Sequence, residues 1–82
     1  MTQINERLLK DIIDMEATGD NIQKLISKSG LEIRDIASIL NVAPQACYKW
    51  VHGRALPTID HLVVLRDILE LQSIDEIIVL KE

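Results

Sequence analysis

Between residues 33 and 40 the chain places apolar residues with a helical period. Ile33, Ile36, Ala37 and Leu40 stand at i, i+3, i+4 and i+7, one stripe of an amphipathic helix. Asn41-Val42-Ala43 then breaks the period, and Asn tolerates the left-handed conformation that ends a helix. Pro44 suits the first turn of a new helix, where its missing N–H is not needed. From there successive residues turn by about 100°. That rotation sends Cys47, Trp50 and Val51 to one side and Gln45, Lys49 and His52 to the other, with Tyr48 at the edge. The pattern predicts two short helices, over about 32–40 and 44–52, joined by a tight break.

The flanking stretches extend this reading. Ile22, Leu25 and Ile26 predict the inward face of a helix over about 19–29, capped by Thr18-Gly19 and ended by Ser29-Gly30. Gly at that end adopts a left-handed backbone at no steric cost. Lys24 and Lys28 fall on its outer side. After the helix pair, residues 53–57 read as a loop, and Thr58 as the cap of a helix over about 58–70. That helix carries Ile59, Leu62, Val63, Val64, Leu65, Ile68 and Leu69, more than one stripe uses, which implies burial on more than one side. Ser73-Ile74-Asp75-Glu76 spells a capping box for a short last helix.

The two ends leave alternatives open. Ile4, Leu8, Leu9, Ile12 and Ile13 have helical spacing with Asn5 as a cap, whereas residues 11–15 are short, β-branched and suited to an extended backbone. The expectation is a short helix or irregular arm to about Lys10, then an extended segment over 11–15. Ile77–Leu80 is β-rich and suited to a short strand pairing with 11–15, within or between chains. The predicted architecture is all-α, with that strand pair as an optional addition. It divides into an arm at 1–17, a compact domain at 18–78 and a tail at 79–82, without repeats or linkers.

Composition narrows the class. Eighty-two residues make one small domain. At 48% hydrophobic and 2% aromatic, its core consists of Ile, Leu and Val. No apolar run reaches the roughly 18 residues of a membrane span. The N-terminal stretch carries acids within its apolar residues and no small-residue cleavage site, unlike a signal peptide. A single cysteine, Cys47, forms no internal disulfide, so the expected compartment is a reducing cytoplasm.

The formal charge of −4 argues against a nucleic-acid partner until it is divided along the chain. Residues 21–58 hold Lys24, Lys28, Arg34, Lys49 and Arg54 against only Glu32 and Asp35, a net +3. The ends are acidic, −3 over 1–20 and −4 over 59–82. Screening at physiological salt acts over about 8 Å, so the local patch decides phosphate binding.

Two short helices, a tight break and a polar outer face on the second form a helix-turn-helix. Gln reads base edges, and Tyr, Lys and His suit a DNA groove. Gly30, Leu31, Ile36, Ala37, Leu40, Val42, Cys47, Trp50, Gly53 and Pro57 follow one another at a fixed spacing. That spacing resembles the lambda-repressor-like, Cro/repressor-type helix-turn-helix family, also called the xenobiotic-response-element family, over about residues 18–78. The wider wording, IDMEATG and PQACYKWVHG…LPTIDHL, resembles small single-domain regulators of Gram-positive gut bacteria. The resemblance implies a five-helix domain and a transcriptional regulator that binds double-stranded DNA in the major groove as a homodimer. Four positions depart from the family pattern. Glu32 and Ala43 replace capping Ser or Thr, each weakening a cap by about 1 kcal/mol. Ile33 replaces a phosphate-touching Gln, and Val51 replaces a salt-linking Glu.

The expected roles follow. Gln45, Tyr48 and Lys49 face bases; Arg34, Arg54 and His52 face phosphates. The plain alternative is an ordinary solvated helix face for Gln45, Lys49 and His52, and a phosphate or sugar contact or flank packing for Tyr48. Lys49 suits a phosphate as well as a guanine. Val64, Ile68, Ile77 and Val79 are expected at the dimer interface, because an 82-residue chain has little interior for its apolar C-terminal part. The alternative is that the N-terminal arm, residues 4–15, folds back and covers this surface within one chain. Cys47 reads as a small core hydrophobe, and Cys47, His52 and His61 lack close-set metal-ligand spacing. With no glycine-rich phosphate loop and no nucleophile elbow, no enzyme activity, metal or cofactor is expected. A second class of function is a protein-binding module, such as an antitoxin that uses the fold as a scaffold and meets a toxin or another regulator through its acidic ends.

Overall fold

The computed structural model describes residues 12–82. The arm or short helix expected up to about Lys10 lies outside the described residues. Among the described residues the chain is all-α: α1 (Met15–Ser29), α2 (Ile33–Leu40), α3 (Pro44–Val51), α4 (Ile59–Ile68) and a short 3-10 helix (Ile74–Glu76).

Helix α1 begins earlier than expected. Asp14 is extended, and its Oδ1 accepts the Ala17 N–H at 2.9 Å, which satisfies one of the first-turn donors that a helix leaves free. Glu16 adds negative charge to the same turn. Thr18 and Gly19, expected as the cap, lie inside the helix and are buried. Both residues serve packing instead. A Cβ on Gly19 would stand 2.7 Å from the Val51 carbonyl oxygen and 2.8 Å from the Trp50 oxygen and the Gly53 nitrogen. Helix α1 therefore lies directly against the C-terminal end of α3. The contact is reciprocal, since Gly53 (φ +72°) approaches the Met15 carbonyl oxygen so closely that a Cβ would be 2.8 Å away.

Helices α2 and α3 follow the period read from the sequence. Gly30 (φ +83°) ends α1, and Asn41 (φ 57°) ends α2 in the left-handed conformation. The Asn41 N–H donates to Ser38 O at 3.2 Å and the Val42 N–H to Ala37 O at 3.0 Å, so the break satisfies its own backbone. Pro44 opens α3. Ile36, Ala37, Cys47, Trp50 and Val51 turn inward and meet Ile22 and Ile26 of α1 and Leu62 and Leu65 of α4. Ile22, Ile36 and Leu65 are almost wholly buried, and cutting such a side chain to Ala costs about 2–5 kcal/mol.

Helix α4 is not buried on more than one side. Thr58 caps it through the His61 N–H at 3.4 Å, and Leu62 and Leu65 face the core. Ile59, Val63 and Val64 remain exposed at 61%, 45% and 38%. The helix also ends at Ile68 rather than at 70.

The capping box at residue 73 forms as spelled. Ser73 Oγ accepts the Asp75 N–H at 2.9 Å, and Glu76 Oε2 accepts the Ser73 N–H at 3.1 Å. The helix it opens is only a 3-10 turn. The segment after it then runs back along α1. Ile13 and Leu80 form an isolated antiparallel bridge within the chain, with the Asp14 N–H on Val79 O at 2.8 Å and the Lys81 N–H on Ile12 O at 2.9 Å. No strand of regular length forms among the described residues; the pairing stops there because Met15 already belongs to α1.

Candidate nucleic-acid interface

Two faces of α3 divide the work. Cys47 (0% exposed), Trp50 and Val51 anchor it in the core. The buried Trp50 ring meets that of His61 with centroids 5.5 Å apart. The anchored face fixes where the other face points. Gln45, Tyr48, Lys49 and His52 lie on the outside together with Arg54 just beyond, and the five line one shallow groove of about 240 Å³. The Tyr48 and His52 rings stack nearly parallel, 6.3 Å apart at 20°. The spacing of four places both rings on one side of the helix. Arg54 is carried into the groove by the turn at Gly53: the Arg54 N–H donates to Lys49 O at 2.8 Å and the Gly53 N–H to Trp50 O at 3.1 Å.

The arrangement offers three hydrogen-bonding or charged tips, from Gln45, Lys49 and Arg54, around a stacked aromatic pair. An amide matches the edge of an adenine, a lysine matches guanine or phosphate, and an arginine matches either. No anion competes inside this groove, whose lining contains no Asp or Glu.

Arg34 stands apart from that set. It borders a second cleft of about 510 Å³ with Gln23, Ser27, Glu32 and Ile33, which reaches α3 only through Tyr48. Its Nε is 2.8 Å from Glu32 Oε2, with the two side chains 80% and 65% exposed. Glu32 also serves α2 through its backbone, since Asp35 Oδ2 accepts the Glu32 N–H at 2.9 Å. The structure thus groups five of the six expected contact residues in one groove and places the sixth in an ion pair next door.

The residues expected at a dimer interface separate in the same way. Val64 is exposed and Ile68 half-buried. Ile77 is fully buried inside its own chain, because it closes the core between α1 and α4, and so it presents no side chain to a partner. Val79 is half-buried, its main chain tied to α1 by hydrogen bonds. The exposed Ile59 and Val63 of α4 were not singled out by sequence; the excess of apolar residues on that helix was their signal.

Cys47 is enclosed and unpaired, and burial pushes its thiol above the ordinary range. Among the described residues no three His, Cys, Asp or Glu side chains come together as a metal site, and no helix is long and apolar enough to cross a membrane. No protein-family model and no curated protein matches this chain.

Proposed function

We propose that this chain is a sequence-specific DNA-binding transcriptional regulator with a lambda-repressor-like helix-turn-helix, α2 and α3, and that α3 enters the major groove. The observation that carries this reading is the convergence of Gln45, Tyr48, Lys49, His52 and Arg54 in one acid-free groove on the outer face of α3, backed by the fully buried Cys47 and by Trp50. In this reading Gln45, Tyr48 and Lys49 meet bases, and Arg54 and His52 meet the phosphates alongside. A helix presenting residues near its N-terminus to base edges is the docking mode of helix-turn-helix proteins.

A single small module buries too little surface for tight specific binding, so the regulator works as a two-fold pair on half-sites about one helical turn apart. The exposed Ile59, Val63 and Val64 supply apolar surface for that pairing.

Selection of duplex DNA from a random pool with the purified protein tests the proposal. Enrichment of one motif supports it. No enrichment at about 50 mM salt or below, where phosphate contacts are strong, removes it. On the enriched motif, Gln45→Ala relaxes discrimination at one base pair by about 1–3 kcal/mol, whereas Lys49→Ala and Arg54→Ala weaken all sequences alike.

A further inference from the structure

We infer that Glu32 holds Arg34 away from DNA phosphate and so lowers the chain's non-specific affinity, leaving discrimination to the groove on α3. The inference rests on the proposed DNA binding. It is carried by the one ion pair among the described residues, Arg34 Nε to Glu32 Oε2 at 2.8 Å, and by where that pair sits. The pair lines the cleft that adjoins α3 through Tyr48, and Arg34 is the one cation in that lining, so it is placed to extend the basic groove across α2. Glu32 offsets part of its charge there. The net +3 of residues 21–58 includes Arg34 and is reduced by Glu32 and Asp35, the only acids of that segment, both at the start of α2.

The chemistry of phosphate binding gives this consequence. A cation that neutralises a phosphate releases a condensed counterion, and each such contact steepens the fall of log affinity against log salt by about 0.9. An arginine whose charge is partly offset by a carboxylate at contact distance releases less on meeting the duplex, because the carboxylate stays beside it and repels the phosphate. Arg34 therefore counts for less than a full phosphate contact in the unmodified chain, and removing the carboxylate restores the rest. Non-specific binding depends on phosphate contacts alone, so the restored contact strengthens it most.

Glu32→Gln is suited to the test because it keeps a side-chain oxygen for the capping box of α2 and leaves intact the main-chain N–H that donates to Asp35. Binding of a mixed-sequence DNA duplex is measured for the unmodified chain, Glu32→Gln, Arg34→Gln and the double variant between about 50 and 200 mM salt, with far-ultraviolet circular dichroism of each. The expected result is tighter binding by Glu32→Gln at low salt and a slope steeper by up to about 0.9, which makes its loss over this range up to about 3.5-fold greater. That gain is expected to vanish when Glu32→Gln is combined with Arg34→Gln.

An equal gain from Glu32→Gln whether Arg34 is kept or replaced would mean simple charge repulsion and would overturn the inference, as would no gain at all. If the unmodified chain binds this duplex and selects a motif while Glu32→Gln behaves identically, only this inference fails. If none of the four proteins binds at the lowest salt, the DNA-binding reading fails and takes the inference with it.

Discussion

The Thr18 hydroxyl holds both main-chain polar groups of Val79, donating to the carbonyl oxygen at 3.2 Å and accepting the N–H at 2.9 Å. One turn further along α1, Asn21 Nδ2 donates to Glu76 O at 2.8 Å and to Ile77 O at 2.9 Å. These two side chains fasten the end of the 3-10 turn and the irregular segment after it to the N-terminal half of α1. Ile77, between them, is driven fully into the core. The Val79 oxygen has a second donor in the Asp14 N–H, whereas its N–H has only Thr18. Thr18→Val therefore leaves one inward-facing N–H without a partner, a cost of about 1–3 kcal/mol. Thr18→Ser keeps the hydroxyl and loses only a methyl group, so its cost is smaller, about 1 kcal/mol. Urea unfolding of the two variants checks the order, and a Val variant as stable as the Ser variant would contradict the clamp.

Gly19 and Gly30 are glycines for different reasons, and alanine separates them. At Gly19 the added Cβ meets backbone atoms of α3 and its following turn at 2.7–2.8 Å. Backbone cannot swing aside, so α1 and α3 must part. Gly19→Ala is expected to cost at least the 1–3 kcal/mol or so typical of an overfilled core. At Gly30 nothing lies within 4 Å of the added Cβ, and only its φ of +83° resists. Gly30→Ala is expected to cost about 1–2 kcal/mol, the strain of a left-handed alanine. Thermal unfolding followed by circular dichroism ranks the pair, with Gly19→Ala melting lower.

The mid-chain helices are legible in the sequence because each burial pattern there has a single period. Ile36 and Ala37, then Cys47, Trp50 and Val51, point where that period places them, and Asn41 and Gly30 end their helices as expected. The outer face of α3 is legible for the same reason: once the inner face is set, the rotation per residue sets the other. What escapes is non-local. Thr18-Gly19 has the composition of a cap, and nothing local reveals that Thr18 meets a residue 61 positions away. The true cap, Asp14, is hidden inside a stretch whose β-branched residues suggest extension. Arg34 looks free in the sequence because no local pattern dictates the rotamer of the glutamate two residues before it.

Ala43 precedes α3 in an extended conformation, exposed and without a side-chain oxygen to accept a first-turn N–H. Ala43→Ser places such an oxygen there, worth about 1 kcal/mol at a helix start. The expected result is a raised urea midpoint with an unchanged slope. An unchanged midpoint would mean that Pro44 at the first position already fixes the turn as far as a cap can.

Cys47 titrates in the direction set by its burial. Its thiol lies above the ordinary range in the folded chain, because a buried thiolate loses its hydration. Unfolding releases it to ionise at its ordinary value. The raised folded pKa therefore contributes stability that is present below the unfolded thiol's pKa and lost as pH rises through the folded value. Unfolding free energy is expected to fall across that alkaline window, and less so in Cys47→Ala, after allowing for the cavity. Thiol reagents at neutral pH are expected to react only with unfolded chain; rapid labelling of native protein would show that the core opens at α3.

Exposed apolar surface on α4 gives the prediction on assembly. Ile59 and Val63 stand one turn apart, at 61% and 45% exposure, and Val64 adjoins them at 38%. Two copies pairing through this helix would remove that surface from water at about 25 cal/mol per Å². Ile77 cannot contribute, since its side chain is already enclosed inside the monomer. Sedimentation equilibrium at micromolar concentration is expected to give twice the 9.3 kDa chain mass; a single 9.3 kDa species would exclude the pairing. Two aspartate variants then locate the surface. Val64→Asp is expected to yield a folded monomer, because its side chain is solvent-facing within one chain. Ile77→Asp is expected to unfold the chain itself, because it places a charge in the core without a partner. A Val64→Asp protein that stays dimeric would move the interface off α4, and a folded Ile77→Asp protein would mean that the C-terminal segment docks far more weakly on α1 than the bonds from Thr18 and Asn21 require.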